Sequence, residues 1–263
     1  MSDDAILFDV TDGLARITLN RPDRLNAVDP EAIAGWRAAA EAVSTRDDIG
    51  AVLLDATGRA FCAGGDVRAM SELSVNDPTG GEATVKGLAD DIHEGHRMLR
   101  ESAVPIVAAV QGVVVGGGLG FMLVADVIVA SDRATFGSRY ADMGLTPDCG
   151  VSTLLPEAVG MRRALELTLS DRMLTADEAY EWGLVAEVVA HDELDARARA
   201  IADVWLSGAT GAYGQAKRLL HAGGTRSFQD SLDDEARTIG AAFAAPEAQR
   251  RVAAFAAASA RSA

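Results

Sequence analysis

Cysteine occurs twice in these 263 residues, at Cys62 and Cys149, so no disulfide scaffold holds the fold and a reducing compartment is expected. Lysine is equally scarce, at Lys86 and Lys217. Nearly all positive charge is therefore arginine, and an anionic ligand must be held by arginine or by backbone N–H groups. Acids outnumber bases 39 to 24, for a formal charge of −15. A chain that acidic is a poor match for a phosphate backbone, which sets nucleic-acid binding aside. Aromatic residues are few as well, at 5%, so aliphatic side chains must build the core. A membrane span is missing: the longest apolar stretch, Val104 to Ala130, is broken by Gln111, Asp126 and a run of glycines. The opening MSDDAILFDV builds no apolar signal segment. The expectation is a soluble cytoplasmic protein with one large domain, or a domain and an appendage.

What is present alternates strand and helix signals. Ile6–Val10 and Leu14–Leu19 are β-prone runs joined by Thr11-Asp12-Gly13, which predicts a hairpin. Asp29-Pro30-Glu31 supplies an N-cap, a proline at the first helical position and an early acid, which predicts a helix through about Ser44. Ala51–Asp55, Val104–Val110, Val127–Ala130 and Glu187–Val189 read as further strands. Ser74–Glu82 has loop chemistry, and a helix over Ala83–Ser102 follows it. Gly116-Gly117-Gly118 is a turn from a strand into an apolar helix ending near Leu123. From Asp148 the chain turns helical, with punctuation at Gly160, Thr175 and Gly183, and the last seventy or so residues are Ala-rich and helical throughout. This pattern predicts an α/β core with a helical C-terminal appendage.

Several familiar motifs fail. A GxGxxG dinucleotide loop needs glycine at 121, where Phe121 stands, and neither lysine follows a glycine as a P-loop requires. His93-Glu94-Gly95-His96 approaches a zinc-protease HExxH, but the fifth position is Arg97, so no metal site is expected and the histidines read as polar residues on a helix face. No GxSxG elbow exists.

Five segments succeed together: Arg59–Met70 (RAFCAGGDVRAM), Val104–Asp126, Phe136–Gly160, Asn20-Arg21-Pro22 with Asn26-Ala27, and Leu174–Ala179 with Trp182-Gly183-Leu184-Val185. In order and spacing they resemble the enoyl-CoA hydratase/isomerase (crotonase) superfamily. The resemblance implies a spiral of strand–strand–helix turns, with a core over residues 1–195 and a helical region over 196–263 that serves oligomerisation and covers the active site. A homotrimer or dimer of trimers is implied in turn. The substrate would be an acyl-CoA thioester, with coenzyme A entering as part of it and no separate cofactor or metal.

A thioester enolate puts negative charge on one oxygen, and two convergent backbone N–H donors can hold it. By family position these donors correspond to Gly65 and Gly117, with Ala63 and Gly116 beside them against the substrate. Asp66 and Arg68 resemble the stretch that lies along the CoA nucleotide, where a basic side chain meets phosphate; Arg68 is the candidate for that contact, and an exposed charge on a helix face is the equal alternative. Hydratases of the family usually carry two glutamates at positions that here hold Gly120 and Tyr140. Adding water needs one group to activate it and another to deliver a proton, so the usual hydratase pair is lacking.

A different acid, Asp148 in Gly144-Leu145-Thr146-Pro147-Asp148-Cys149-Gly150, matches the base of enoyl-CoA isomerases, including the ring-opening isomerase of phenylacetate breakdown. The same place resembles the nucleophilic aspartate of halobenzoyl-CoA dehalogenases, with His93 near their histidine but Tyr140 in place of their tryptophan. Pro-Asp before a helical run is also an ordinary N-cap, and that alternative stays open. Tyr140 is expected to form a pocket wall or to orient substrate, and Cys149 to be a small buried residue. The expected reaction is double-bond isomerisation. A hydratase using other residues and a non-catalytic acyl-CoA binder are the alternatives.

Overall fold

The computed structural model describes residues 4–76 and 80–262. Strands β1 (Ile6–Thr11) and β2 (Leu14–Leu19) pair antiparallel as the expected hairpin. Helix α1 (Pro30–Thr45), β3 (Ala51–Ala56), α2 (Val67–Asn76) and α3 (Gly81–Glu101) follow. Then β4 (Ile106–Val110) and β5 (Val113–Val115) lead into α4 (Gly117–Leu123), and β6 (Val127–Ser131) and β7 (Thr135–Gly137) lead into α5 (Val151–Val159). After α6 (Met161–Thr168), β8 (Leu174–Thr175), α7 (Ala176–Trp182) and β9 (Glu187–Val189), the chain is helical: α8 (Leu194–Ser207), α9 (Thr210–Gly223), α10 (Phe228–Ala244) and α11 (Pro246–Ser262).

The main sheet runs β1-β2-β3-β4-β6-β9 and is parallel from β2 onward. A small sheet, β5-β7-β8, lies apart from it. The units β4-β5-α4 and β6-β7-α5 each take one strand from each sheet before the helix, which is the expected spiral of strand–strand–helix turns. Parallel strands covered on both faces must be apolar throughout, and β4 (IVAAV) is buried at every position. Its alternate residues divide between two cores. Ile106, Ala108 and Val110 join Ile17, Leu54 and the α1 residues Ile33 and Trp36. Val107 and Ala109 join Leu53, Val129 and the α8 residues Leu194, Ala198 and Ala202. The division expected at residue 195 thus falls inside α8, whose small residues close the second face of the sheet.

The expected cap of α1 is present, and a second cap lies at the Thr175 punctuation. Asp29 caps α1 by accepting the Ala32 N–H at 2.9 Å, and Thr175 with Glu178 forms a capping box at α7. Three points differ. The loop expected over Ser74–Glu82 is shorter, because α2 continues to Asn76 and α3 starts at Gly81; Asp77, Pro78 and Thr79 lie outside the described residues. Strands β5, β7 and β8 are two or three residues long and exist through pairing, so no periodicity announces them. His96 is not on a surface face. It is buried between Trp36, whose Nε1 donates to its Nδ1 at 3.1 Å, and Phe121, and burial pushes its pKa down to about 3.

Lys217, one of the two lysines, is buried as an anchor. Its Nζ donates to the Leu99 and Val104 carbonyls at 2.9 and 2.8 Å and pairs with Asp126 at 3.2 Å. The outer helices leave Leu220, Phe228, Ile239, Phe243, Val252 and Phe255 more than half exposed. Among the described residues no helix is long and apolar enough to cross a membrane.

Candidate active site

The segment after β3 and the start of α4 meet backbone to backbone. Cys62 bridges to Val114 in β5, and Gly65 bridges to Val28 in parallel fashion. In that second bridge the Val28 N–H bonds to the Gly64 carbonyl and the Asp66 N–H to the Val28 carbonyl. The Gly65 N–H therefore points away from Val28. Gly64 takes φ +84°, and a Cβ on it would lie 3.0 Å from the Val115 carbonyl and 3.4 Å from the Gly117 nitrogen. A side chain is excluded there on both counts. Gly117 opens α4, where a helix amide has no partner within its own helix. Among the described residues neither the Gly65 nor the Gly117 N–H has a protein acceptor. Two amides without protein acceptors among the described residues thus lie on segments in backbone contact.

Beside them opens a cavity of about 410 Å³, within the usual range for a small-molecule site. Ala63, Gly65, Asp66, Gly116, Gly117, Tyr140 and Asp148 all line it. Its apolar wall comes from Ile33 in α1, Met70 in α2, Val85, Leu88 and Ile92 in α3, and Phe121 in α4. Phe121 is held from behind by the edges of Trp36 and His96. Arg68 is exposed on α2 and does not line the cavity.

Asp148 is not a helix cap. Gly150, with φ +73°, occupies the N-cap position of α5, and no side chain caps it. The carboxylate faces the cavity instead. Its Oδ1 accepts the Tyr140 hydroxyl at 2.6 Å and lies 3.8 Å from where a Cβ on Gly117 would stand. Burial first, then the neighbouring Cys149 and Asp148, raise the pKa of Tyr140, so the phenol stays protonated and donates. Cys149 is buried as expected, and burial followed by the Asp148 charge holds its thiol well above the ordinary value. Burial pushes Cys62 up to about 12. Neither sulfur is a ready nucleophile.

Asp66 is engaged inside the protein. Its Oδ1 accepts the N–H groups of Arg68 and Ala69 at 3.1 and 3.3 Å, and its Oδ2 meets Arg21 at 3.1 Å. Burial opposes its charge, but the Ala69 amide and the Arg21 guanidinium hold its carboxyl below the usual range. Arg21 also pairs with Asp29 at 2.8 Å, which ties the Asn20-Arg21-Pro22 motif to the cavity rim. Arg139 is a second rim residue the sequence did not announce, paired to Asp142 at 2.6 Å.

The family description "Enoyl-CoA hydratase/isomerase" matches residues 9–259. The chain belongs to the enoyl-CoA hydratase/isomerase family. It is an acyl-CoA enzyme of the crotonase fold. A 4-chlorobenzoyl coenzyme A dehalogenase of Arthrobacter sp is 32% identical over 254 residues, covering 97% of this chain and 91% of the relative. A 1,2-epoxyphenylacetyl-CoA isomerase of Escherichia coli K12 is 33% identical over 231 residues, covering 88% and 87%. The crystal structure of an enoyl-CoA hydratase/isomerase from Cupriavidus metallidurans CH34 superposes with a TM-score of 0.87 at 32% identity, covering 98% of this chain and 95% of that one. Members of this family thus carry names for different reactions, and the side chains around the paired amides have to distinguish them.

Proposed function

We propose that this enzyme moves the double bond of an enoyl-CoA, with Asp148 as the single proton shuttle. The observation that carries the proposal is the Asp148 carboxylate: it caps no helix and faces the cavity beside Gly117, oriented by Tyr140. The thioester oxygen would accept the N–H groups of Gly65 and Gly117. Asp148 removes the proton from C2 of a 3-enoyl-CoA, and the electrons of that C–H bond pass through a dienolate stabilised at the oxygen. The protonated Asp148 then returns the proton at C4, leaving a conjugated 2-enoyl-CoA. Atoms and charge balance with one carboxylate and no added cofactor. Loss of one oxyanion donor costs about 10²–10³ in rate in other enzymes, so the amide pair carries much of the catalysis.

Ala63 and Gly116 would lie along the thioester. Arg68, exposed and without an ion pair among the described residues, is free to meet a CoA phosphate outside the cavity. Asp66 would shape the rim through Arg21. The exposed apolar residues of the outer helices would be covered in a homotrimer or dimer of trimers.

A second reading draws on the dehalogenase relative: Asp148 would attack an aryl ring as a nucleophile. Halide release from a halobenzoyl-CoA distinguishes it from isomerisation. The test of the main proposal is turnover of a 3-enoyl-CoA by the wild type and by Asp148→Asn. Loss of most of kcat with CoA-thioester binding retained is expected. Unchanged kcat in the variant would remove Asp148 from the mechanism.

A further inference from the structure

One peptide group follows the proposed base, and both of its ends are pinned. At its oxygen, the Asp148 carbonyl accepts the Val151 N–H at 2.9 Å and the Tyr140 hydroxyl at 3.3 Å. At its nitrogen, the Cys149 N–H donates to Nε2 of His93 at 3.1 Å. The residue so held is in an unfavourable conformation: Cys149 has φ +49°, a left-handed backbone in a residue that is not glycine. Such a conformation persists where its surroundings over-determine it. The orientation of this peptide sets ψ of Asp148, and with it the direction of the carboxylate.

We propose that His93 is a positioning residue for the proposed base, acting through the Cys149 N–H and not on substrate. The inference rests on Asp148 being the base. His93 sits on α3 with its side chain exposed, and it does not line the cavity. A structural role in the core is therefore excluded. Its Nε2 lone pair is already used by the Cys149 amide, so that nitrogen is not available to take a substrate proton. Helix α3 also supplies Leu88 and Ile92 to the apolar wall. One helix thus holds both the acyl group and the backbone that aims the base.

The test compares His93→Leu, His93→Gln and Asp148→Asn in the full-length protein, using kcat and KM on a 3-enoyl-CoA, thermal melting and a crystal structure of each His93 variant. A glutamine side-chain oxygen can accept the same N–H, whereas leucine cannot. His93→Leu is expected to lower kcat about 10- to 100-fold with KM nearly unchanged, as a small misplacement of a reacting group does. His93→Gln is expected to recover most of that loss, with the native Asp148–Cys149 peptide in its crystal and a rotated one in the leucine variant. Wild-type kcat in His93→Leu, or a native peptide in its crystal, overturns the proposal. Equal loss in the glutamine and leucine variants also overturns it, by assigning the imidazole a chemical role of its own. If Asp148→Asn keeps full activity, the reading of Asp148 fails separately, and the crystal structures still decide what His93 holds.

Discussion

The carbonyl oxygen of Cys149 occupies the space where a side chain on Gly120 would begin: a Cβ there would lie 2.1 Å from it. Helix α4 and the Asp148 loop are therefore in backbone contact, and the contact is possible because residue 120 has no side chain. A glutamate at the position that matches the usual hydratase acid has no room. Gly120→Ala is expected to displace the Asp148 loop, destabilise the fold by about 1–3 kcal/mol and abolish most turnover. Gly120→Glu should not create a hydratase. Thermal melts and assays on a 2-enoyl-CoA check both outcomes.

Tyr140 fixes the carboxylate by one short hydrogen bond from a phenol that stays protonated. Tyr140→Phe keeps the ring in the cavity wall and deletes the donor. The expected result is a fall in kcat of about tenfold with KM little altered, since the lost bond orients a group that acts in the transition state. Steady-state kinetics with a matched melt separate this from a general loss of folding.

His96 makes stability depend on acid. Unfolded, an imidazole binds its proton near pH 6.5; buried here, it does so near 3. Between those values the unfolded chain holds more protons than the native one, so stability is complete above pH 6.5 and falls as the pH drops toward 3. The slope expected from this residue is about 1.4 kcal/mol per pH unit. Urea melts at pH 7 and pH 5 of the wild type and of His96→Gln check it: the variant should lose this part of the slope.

The exposed Phe228, Ile239, Phe243 and Phe255 exceed what isolated surface residues require. Light scattering is expected to give three or six times the 27.4 kDa chain mass. Replacing Ile239 and Phe243 together by serine should shift the population toward monomer.

Much of this fold was legible because it is written in local backbone chemistry. Asp29-Pro30 starts a helix, Thr175 and Gly183 punctuate the helical second half, and Gly116-Gly117-Gly118 turns a strand into a helix. The pairing of the Gly65 and Gly117 amides came from the family resemblance, because either glycine site alone reads as a tight turn. What stayed hidden depends on partners distant in sequence or on turns that local rules misassign. Pro147-Asp148 before a helical run also fits an ordinary cap, and only the placement of Gly150 at the N-cap of α5 removes that alternative. The ion pair between Arg21 and Asp66 spans 45 residues, and the His93 bond to Cys149 spans 56. The sequence shows His96 only as a polar residue on a helix face, because its burial is decided by Trp36, 60 positions away.

The most direct test of the central claim is an ultraviolet assay of purified protein on a 3-enoyl-CoA and a 2-enoyl-CoA of matched length, repeated with Asp148→Asn. Conjugation of the thioester raises the absorbance and hydration lowers it. An isomerase working through Asp148 gives a rise with the 3-enoyl substrate that the variant largely loses, and no 3-hydroxyacyl-CoA from the 2-enoyl substrate. Formation of a 3-hydroxyacyl-CoA from the 2-enoyl substrate, or an undiminished rise in the variant, rules out the one-carboxylate isomerase.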